Sequence, residues 1–302
     1  MPKSKVSAMV SFVSDPFHAL LFKKSYERWG DEIDQLLVCV NGNIPEVNEF
    51  IIDVYDGYQI KFDSVSISQG RAFDSLYPLV EGDILMTLCS DNYILKKGIV
   101  SGFVKDMENY DAVGSMGLHA STNIAQKIAE KLGTVRLNPF MSFWHKNKLD
   151  EVKDLTFDAV FWEAEQGYKI PEIDLEVNEG GHLDIMSLMS IRYLAKNKVF
   201  KVIPPEQVPD WVHPSGMSSG VIHYFDRGDG KSFYGKDLHV GSLGITTLGW
   251  FLFAYEETVK ECPLEEFNKK YYEGLVGKIV KSGHKFEDVK AEAERIRMIW
   301  QL

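Results

Sequence analysis

The sequence predicts an α/β fold, a mostly parallel, Rossmann-like sheet flanked by helices, followed by a helical C-terminal region. Three observations predict it. Short apolar runs of strand length alternate with segments of helical period through the first third of the chain, the pattern of a parallel sheet covered by helices. One of these runs, ILMTL at 84–88, is almost wholly apolar, as a strand buried on both faces must be. From 246 to 302 the period is mainly helical, ending in an amphipathic, charge-laced segment at 286–299.

VSAMVSFV (6–13) is apolar and β-branched, and Ser14-Asp15-Pro16 supplies turn and helix-start signals. Phe17, Leu20, Leu21, Tyr26 and Trp29 then share one helical face, which Gly30-Asp31 ends. QLLVCV (35–40) reads as a second strand with Asn41-Gly42-Asn43 as its turn. A helical segment at 46–55 leads to a third strand at 58–65, completing β-α-β-α-β. A glycine-opened helix at 69–79 and Gly82-Asp83 precede the run 84–88, which ends on Cys89-Ser90-Asp91-Asn92-Tyr93-Ile94. A carboxylate thus falls at the carboxyl end of a central parallel strand, where open α/β sheets bind ligands. Beyond it the pattern predicts a strand at 111–115, a helix at 123–132, an aromatic stretch PFMSFWH at 139–145, a helix at 183–196 and a strand at 200–203. A loop at 204–220, rich in Pro, Gly and Ser, is long for a connector, which favours a lid or site loop.

Bulk properties remove several function classes. A composition that is 45% hydrophobic and 25% charged is that of a globular chain, which excludes disorder. A net charge of −11 repels polyanions, so no extended nucleic-acid binding is expected. The cysteines Cys39, Cys89 and Cys262 form no CxxC pair, so neither a disulfide framework nor a zinc knuckle is expected and a reducing, cytoplasmic compartment fits. No run is long enough for a membrane span, and the first residues do not read as a signal peptide.

The segment GRAFDSLYPLVEGDILMTLCSDNYI (70–94) resembles the donor half of GT-A glycosyltransferases, especially the large inverting family numbered two. The order of a glycine-bearing helix, Gly82-Asp83, an apolar strand and an acidic motif is kept. The first acidic position of the family's Asp-x-Asp is Cys89 here, and Asp91 takes the second, the usual metal ligand. The resemblance implies a GT-A-like fold and a nucleotide-sugar donor, a UDP-sugar first. It also implies Mn²⁺ or Mg²⁺ on the diphosphate, because a departing nucleoside diphosphate develops negative charge that a hard, oxygen-ligated cation stabilises. Arg71 would face the diphosphate, and Ser14 and Asp15 the nucleoside. Asn41, Ser90 and Asn92 complete the candidate donor contacts. Read without the resemblance, Asp91 caps a turn, Asp15 caps a helix and Arg71 is a surface arginine.

For the acceptor, Glu179-Gly180-Gly181-His182-Leu183-Asp184-Ile185 followed by a helix and FKVIP is similar to the family's element bearing the catalytic base. That implies Asp184 as base, with Glu179 as the alternative; the bland reading of Asp184 is an acid at a helix N-terminus. His213 in WVHPSG and His239 in LHVGS are candidate metal ligands, and His223 a weaker one. Trp144, Phe143 and Trp162 either stack on a sugar or fill the core. The expected organisation is a catalytic domain at 1–245, with a donor half at 1–115 and an acceptor half at 116–245, and a helical extension at 246–302. The acceptor, a glycan, lipid, protein or modified nucleobase, is not named by the sequence. Two other classes remain. A nucleotidyltransferase acting on sugar phosphates would need a glycine-rich basic loop after the first strand, where Ser14-Asp15-Pro16-Phe17-His18 stands. A degenerate binding module is suggested by Cys89.

Overall fold

The computed structural model describes residues 4–65, 67–117, 122–134, 136–204, 207, 211–212 and 244–301. In chain order the strands and helices begin β1 (Val6–Val13), α1 (Pro16–Trp29), β2 (Gln35–Asn41), α2 (Pro45–Val54), β3 (Gln59–Asp63), α3 (Gln69–Leu76), β4 (Ile84–Cys89) and β5 (Tyr93–Ile94). They continue with α4 (Ile99–Asp106), β6 (Ala112–Gly117), α5 (Thr122–Leu132), β7 (Arg136–His145), α6 (Lys146–Leu149), β8 (Val160–Trp162), β9 (Tyr168–Ile170), β10 (Leu175–Val177), β11 (Gly181–Leu183) and α7 (Ser187–Leu194). β12 (Phe200–Ile203), β13 (Trp211–Val212) and the C-terminal helices α8 (Ile245–Thr258), α9 (Glu265–Lys281) and α10 (Phe286–Gln301) complete the described elements.

The central sheet has seven strands in the order β12-β6-β7-β4-β1-β2-β3. All neighbours are parallel except β7, which runs antiparallel to both β4 and β6. The fold is therefore α/β with a mostly parallel sheet and a helical C-terminal region. Period-two alternation sorts the buried strands onto two cores. Ala8, Val10 and Phe12 of β1, with Val38 and Val40 of β2, join one core; Met9, Leu37 and Leu85 join the other. The C-terminal helices belong to the first of these cores, through Trp250, Phe251, Leu252 and Phe253 of α8, Tyr271 of α9 and Val289 and Ile296 of α10. Burying α8 on nearly every side is consistent with its apolar sequence. None of the described helices is long and apolar enough to cross a membrane.

Three expectations are corrected. The aromatic stretch at 139–145 is the C-terminal part of the ten-residue strand β7. Phe143 and Trp144 are fully buried and Trp162 is nearly so, stacked on Tyr168 at 4.6 Å, so all three fill the interior and none presents a face for a sugar. The strand β4 has a parallel neighbour on one side only, because β7 lies against it in reverse. The helix expected at 183–196 begins at Ser187 instead: Gly181–Leu183 pairs as a strand with β8, and Met186 at φ 64 turns the chain before the helix starts. Residues 204–220 lie largely outside the described set.

Two glycines are required by close approach. A Cβ at Gly82 would sit 2.8 Å from the Lys5 carbonyl oxygen and the Ser7 amide nitrogen, while Asp83 accepts a hydrogen bond from the Lys5 amide at 3.0 Å. The Gly82-Asp83 pair therefore serves the amino end of the sheet. Gly70, inside α3, leaves no room either: a Cβ there would lie 2.6 Å from the Phe157 carbonyl oxygen. Replacing Gly70 by Ala should gain about 0.8 kcal/mol of helix propensity but cost about 1–3 kcal/mol of overpacking against backbone. Net destabilisation is expected in equilibrium urea unfolding; an unchanged or higher midpoint would contradict the packing described.

Candidate active site

Parallel pairing brings the carboxyl ends of β1, β2, β3 and β4 to one edge of the sheet, with Ser11 beside Cys89, Val13 beside Asn41 and Asn41 beside Asp63. The candidate donor residues gather at this edge. Ser14, buried and at φ 45, makes the exit from β1. That conformation is uncommon for a residue with a Cβ and marks a tightly determined turn.

After β4 the chain turns at Ser90-Asp91-Asn92. Asn92 closes the turn on itself, its Oδ1 accepting from the Cys89 amide at 2.7 Å and its own amide donating to the Cys89 carbonyl at 3.1 Å. Asp91 is thereby held at the sheet edge with 3% exposure. Ser90 is half-buried. Ser25 of α1 donates to the Ile94 carbonyl at 2.7 Å and accepts from the Ile94 amide at 2.9 Å, anchoring β5 beyond the turn. Tyr93 stacks on Trp250 of α8 at 5.1 Å, and its hydroxyl shares a hydrogen bond with Nδ1 of the buried His18. His18 Nε2 and Asn92 Nδ2 are buried without a hydrogen-bond partner among the described residues.

Position 89, where the resemblance leads one to expect a carboxylate, is a buried thiol with a neutral side-chain partner. Gln69 of α3 donates to the Cys89 sulfur at 2.9 Å and to the Leu88 carbonyl at 3.3 Å. Burial, followed by the nearby Asp91 charge, pushes the Cys89 thiol well above its ordinary value, so it is no thiolate ligand at neutral pH. Asp15 and Asn41 are committed within the protein. Asp15 Oδ1 caps α1 by accepting from the Phe17 and His18 amides at 3.0 Å, and Oδ2 accepts from the Tyr271 hydroxyl of α9 at 3.3 Å. Asn41 donates to Ser11 Oγ at 2.9 Å and accepts from the Ile67 amide at 3.1 Å, tying β1 to the entry of α3. Neither side chain faces solvent.

Arg71 lies in the first turn of α3, which Ser68 caps by accepting from the Arg71 amide at 3.1 Å. Its Nε donates to Asp158 Oδ2 at 3.0 Å and its side chain is 71% exposed. Asp158 also accepts from Ser68 Oγ at 2.5 Å. Asp184 Oδ2 pairs with the buried Arg136 at 2.5 Å and Oδ1 accepts from the Ile185 amide at 2.9 Å. Arg136 further donates to the Ile185 carbonyl. Burial lowers the Arg136 guanidinium from its ordinary value while Asp184 raises it, so the pair is one of mutual need. The β8–β11 register, in which Val160 faces Leu183, sets Ala159 opposite Asp184 when carried one residue further. Asp184 thus stands at the Asp158 end of this small sheet. Glu179 lies beyond the other end, in an exposed ion pair with Lys127 at 3.0 Å.

His213, His239 and His223 lie outside the described residues. Among the described residues no three His, Cys, Asp or Glu side chains gather to hold a metal ion. A single carboxylate suits only a divalent ion whose other ligands are phosphate oxygens and waters, a mode typical of Mg²⁺. Sequence reasoning missed Gln69, His18, Asp158, Arg136 and Tyr271. His18 follows β1 directly in the first turn of α1, where its neighbourhood reads only as a helix start, and the other four are brought to their partners by long-range packing.

No family model matches the sequence, and no curated protein matches it significantly. Among solved structures, the chain is similar to a mannosyltransferase from Pyrobaculum calidifontis in complex with GDP-Man and Mn²⁺, at 8% identity and a TM-score of 0.45 over 98% of this chain and 80% of that one. It is similar to glucosyl-3-phosphoglycerate synthase from Mycobacterium tuberculosis in complex with UDP, at 16% identity and a TM-score of 0.38 over 49% of this chain and 59% of that one. A third likeness is to 4-diphosphocytidyl-2C-methyl-D-erythritol synthase from Anaerococcus prevotii, at 10% identity and a TM-score of 0.34, covering 49% of this chain and 74% of that one. Likeness at this level does not reach substrate or chemistry.

Burial lowers the His18 imidazole below 6.5, against the raising influence of Asp15 and Asp91. The unfolded chain then binds a proton on acidification that the native state refuses. Stability should therefore fall as pH drops below the unfolded value, by about 1.4 kcal/mol per pH unit from this one group, until the native pKa is reached. As the pH falls below the ordinary imidazole value, urea unfolding should show a smaller loss of stability in His18→Gln than in the native chain; parallel pH curves would exclude His18 as its source.

Proposed function

We propose that this chain is a glycosyltransferase that moves a sugar from a nucleoside diphosphate sugar, a UDP-sugar first, to an acceptor hydroxyl. The observation that carries the reading is the buried carboxylate of Asp91 in the turn that closes β4, at the carboxyl edge of the parallel strands, where Gln69 of the first turn of α3 reaches Cys89. Open α/β sheets bind nucleotides at this edge.

In this reading Asp91 is the protein ligand of Mn²⁺ or Mg²⁺, and the cation supplies charge neutralisation at the departing diphosphate. Arg71 adds a guanidinium to the same phosphates. Ser90 and the backbone of the turns line the donor, while Ser14, Asp15 and Asn41, all buried, shape the edge from within. Asp184 takes the proton of the acceptor hydroxyl. A carboxylate has about four lone-pair positions, and the Arg136 and Ile185 contacts occupy two. Asp184 is preferred to Glu179 because it stands at the Asp158 end of its sheet, several strand residues nearer the donor edge. Residues 1–115 form the donor half, 116–245 the acceptor half and 246–302 a helical extension that braces the first. The cysteine at position 89 favours one other reading, a nucleotide-sugar binding module without turnover.

Thermal-shift screening of UDP-, GDP-, CMP- and TDP-sugars with and without Mn²⁺ should identify a stabilising donor, since a ligand at a hundred times its Kd stabilises by about 2.7 kcal/mol. Asp91→Asn should remove the Mn²⁺-dependent part of that shift. Asp184→Asn should keep donor binding and slow transfer by about 10²–10⁴-fold, with inversion at the anomeric carbon in the native enzyme. Metal-dependent binding that survives Asp91→Asn would refute the role of Asp91. Binding without turnover for any acceptor class would favour the module.

A further inference from the structure

The segment at 156–159 touches both halves of the candidate site. On one side Asp74 of α3 accepts from Thr156 Oγ1 at 2.8 Å and from the Phe157 amide at 2.7 Å, and Asp158 accepts from Ser68 and Arg71. On the other, the Phe157 carbonyl accepts from the Met186 amide at 2.7 Å, in the turn that follows Asp184. Arg71 is engaged only through Nε. Its terminal nitrogens make no hydrogen bond or ion pair to a described residue. A guanidinium held this way keeps a planar fork of donors aimed outward in one orientation, the form in which arginine grips paired phosphate oxygens.

We propose that Asp158 is a positioning residue for nucleoside diphosphate binding, acting through Arg71; this rests on the donor site proposed above. Asp158 contacts no phosphate. It fixes the rotamer of Arg71 from behind, while its own carboxylate is fixed by Ser68 and by the Ala159 amide at 2.9 Å. Without that brace, Arg71 keeps its charge and loses its preset direction, so binding must order a flexible side chain. The ion pair is open to solvent on its Arg71 side, so the charge interaction contributes little to folding, which separates a positioning role from a structural one.

The test is a double-mutant cycle on UDP, GDP and CDP binding, measured by titration calorimetry with Mn²⁺ on the full chain, alongside thermal midpoints. Arg71→Ala should weaken binding of the preferred diphosphate by about ten- to a hundredfold, the loss expected for a charged donor to phosphate. Asp158→Ala should weaken it by about five- to tenfold in the native background and by less than twofold in the Arg71→Ala background. Asp158→Asn, which keeps one acceptor oxygen where the carboxylate has two and so can serve either Ser68 or Arg71 but not both, should fall between native and Asp158→Ala, and all variants should melt close to the native protein. Equal losses from Asp158→Ala in both backgrounds, or no loss in either, would overturn the positioning role while leaving the donor site standing. A native chain that binds none of the three diphosphates would remove the donor site itself and this role with it.

Discussion

Helix α3 and the 157–158 backbone come so close that position 70 has no space for a side chain. That contact sets the distance between the carboxyl edge of the parallel strands and the β8–β11 sheet. Around it, Asp74, Ser68 and Arg71 of one side meet Thr156, Phe157 and Asp158 of the other. The candidate donor and acceptor groups are therefore not on separately moving bodies at this point. Their spacing is set by backbone packing, which is stiffer than any pair of surface side chains.

A second constraint comes from the C-terminal helices. Asp15 and the segment after Asp91 are reached from α9 and α8, through the Tyr271 hydroxyl and the Trp250 ring. These contacts bury the acidic edge from outside while α1 holds it from within through His18 and Ser25. Buried polar groups survive only when hydrogen-bonded, and most of this cluster is. The edge owes its shape to residues separated by more than two hundred positions in sequence, such as Asp15 and Tyr271.

Much of the fold was legible because the signal was local. β1, β2 and β4 are apolar runs buried on both faces, and α1 opens on an Asp-Pro pair that caps it in the structure as expected. β7 was not legible: Pro139 and a mixed aromatic run hide a strand whose burial is set by β4 and β6 on either side. The start of α7 was misread because Leu183 fits a helical period, yet strand pairing with β8 claims it. At the site, the position of Asp91 followed from the strand before it. The bond from Tyr271 to Asp15 and the commitment of Asn41 did not, since Tyr271 and Ile67 come from distant segments. Asp158 carried no pattern at all; only the fold sets it against Arg71.

Tyr93 lies between His18 of α1 and Trp250 of α8, two residues beyond Asp91. A domain exchange that borrowed the C-terminal helices from another chain would also replace the surface against which the acidic turn is packed. For an engineer no seam falls between the sheet and the C-terminal helices, and Trp250 and Tyr271 must travel with the strand edge they bury.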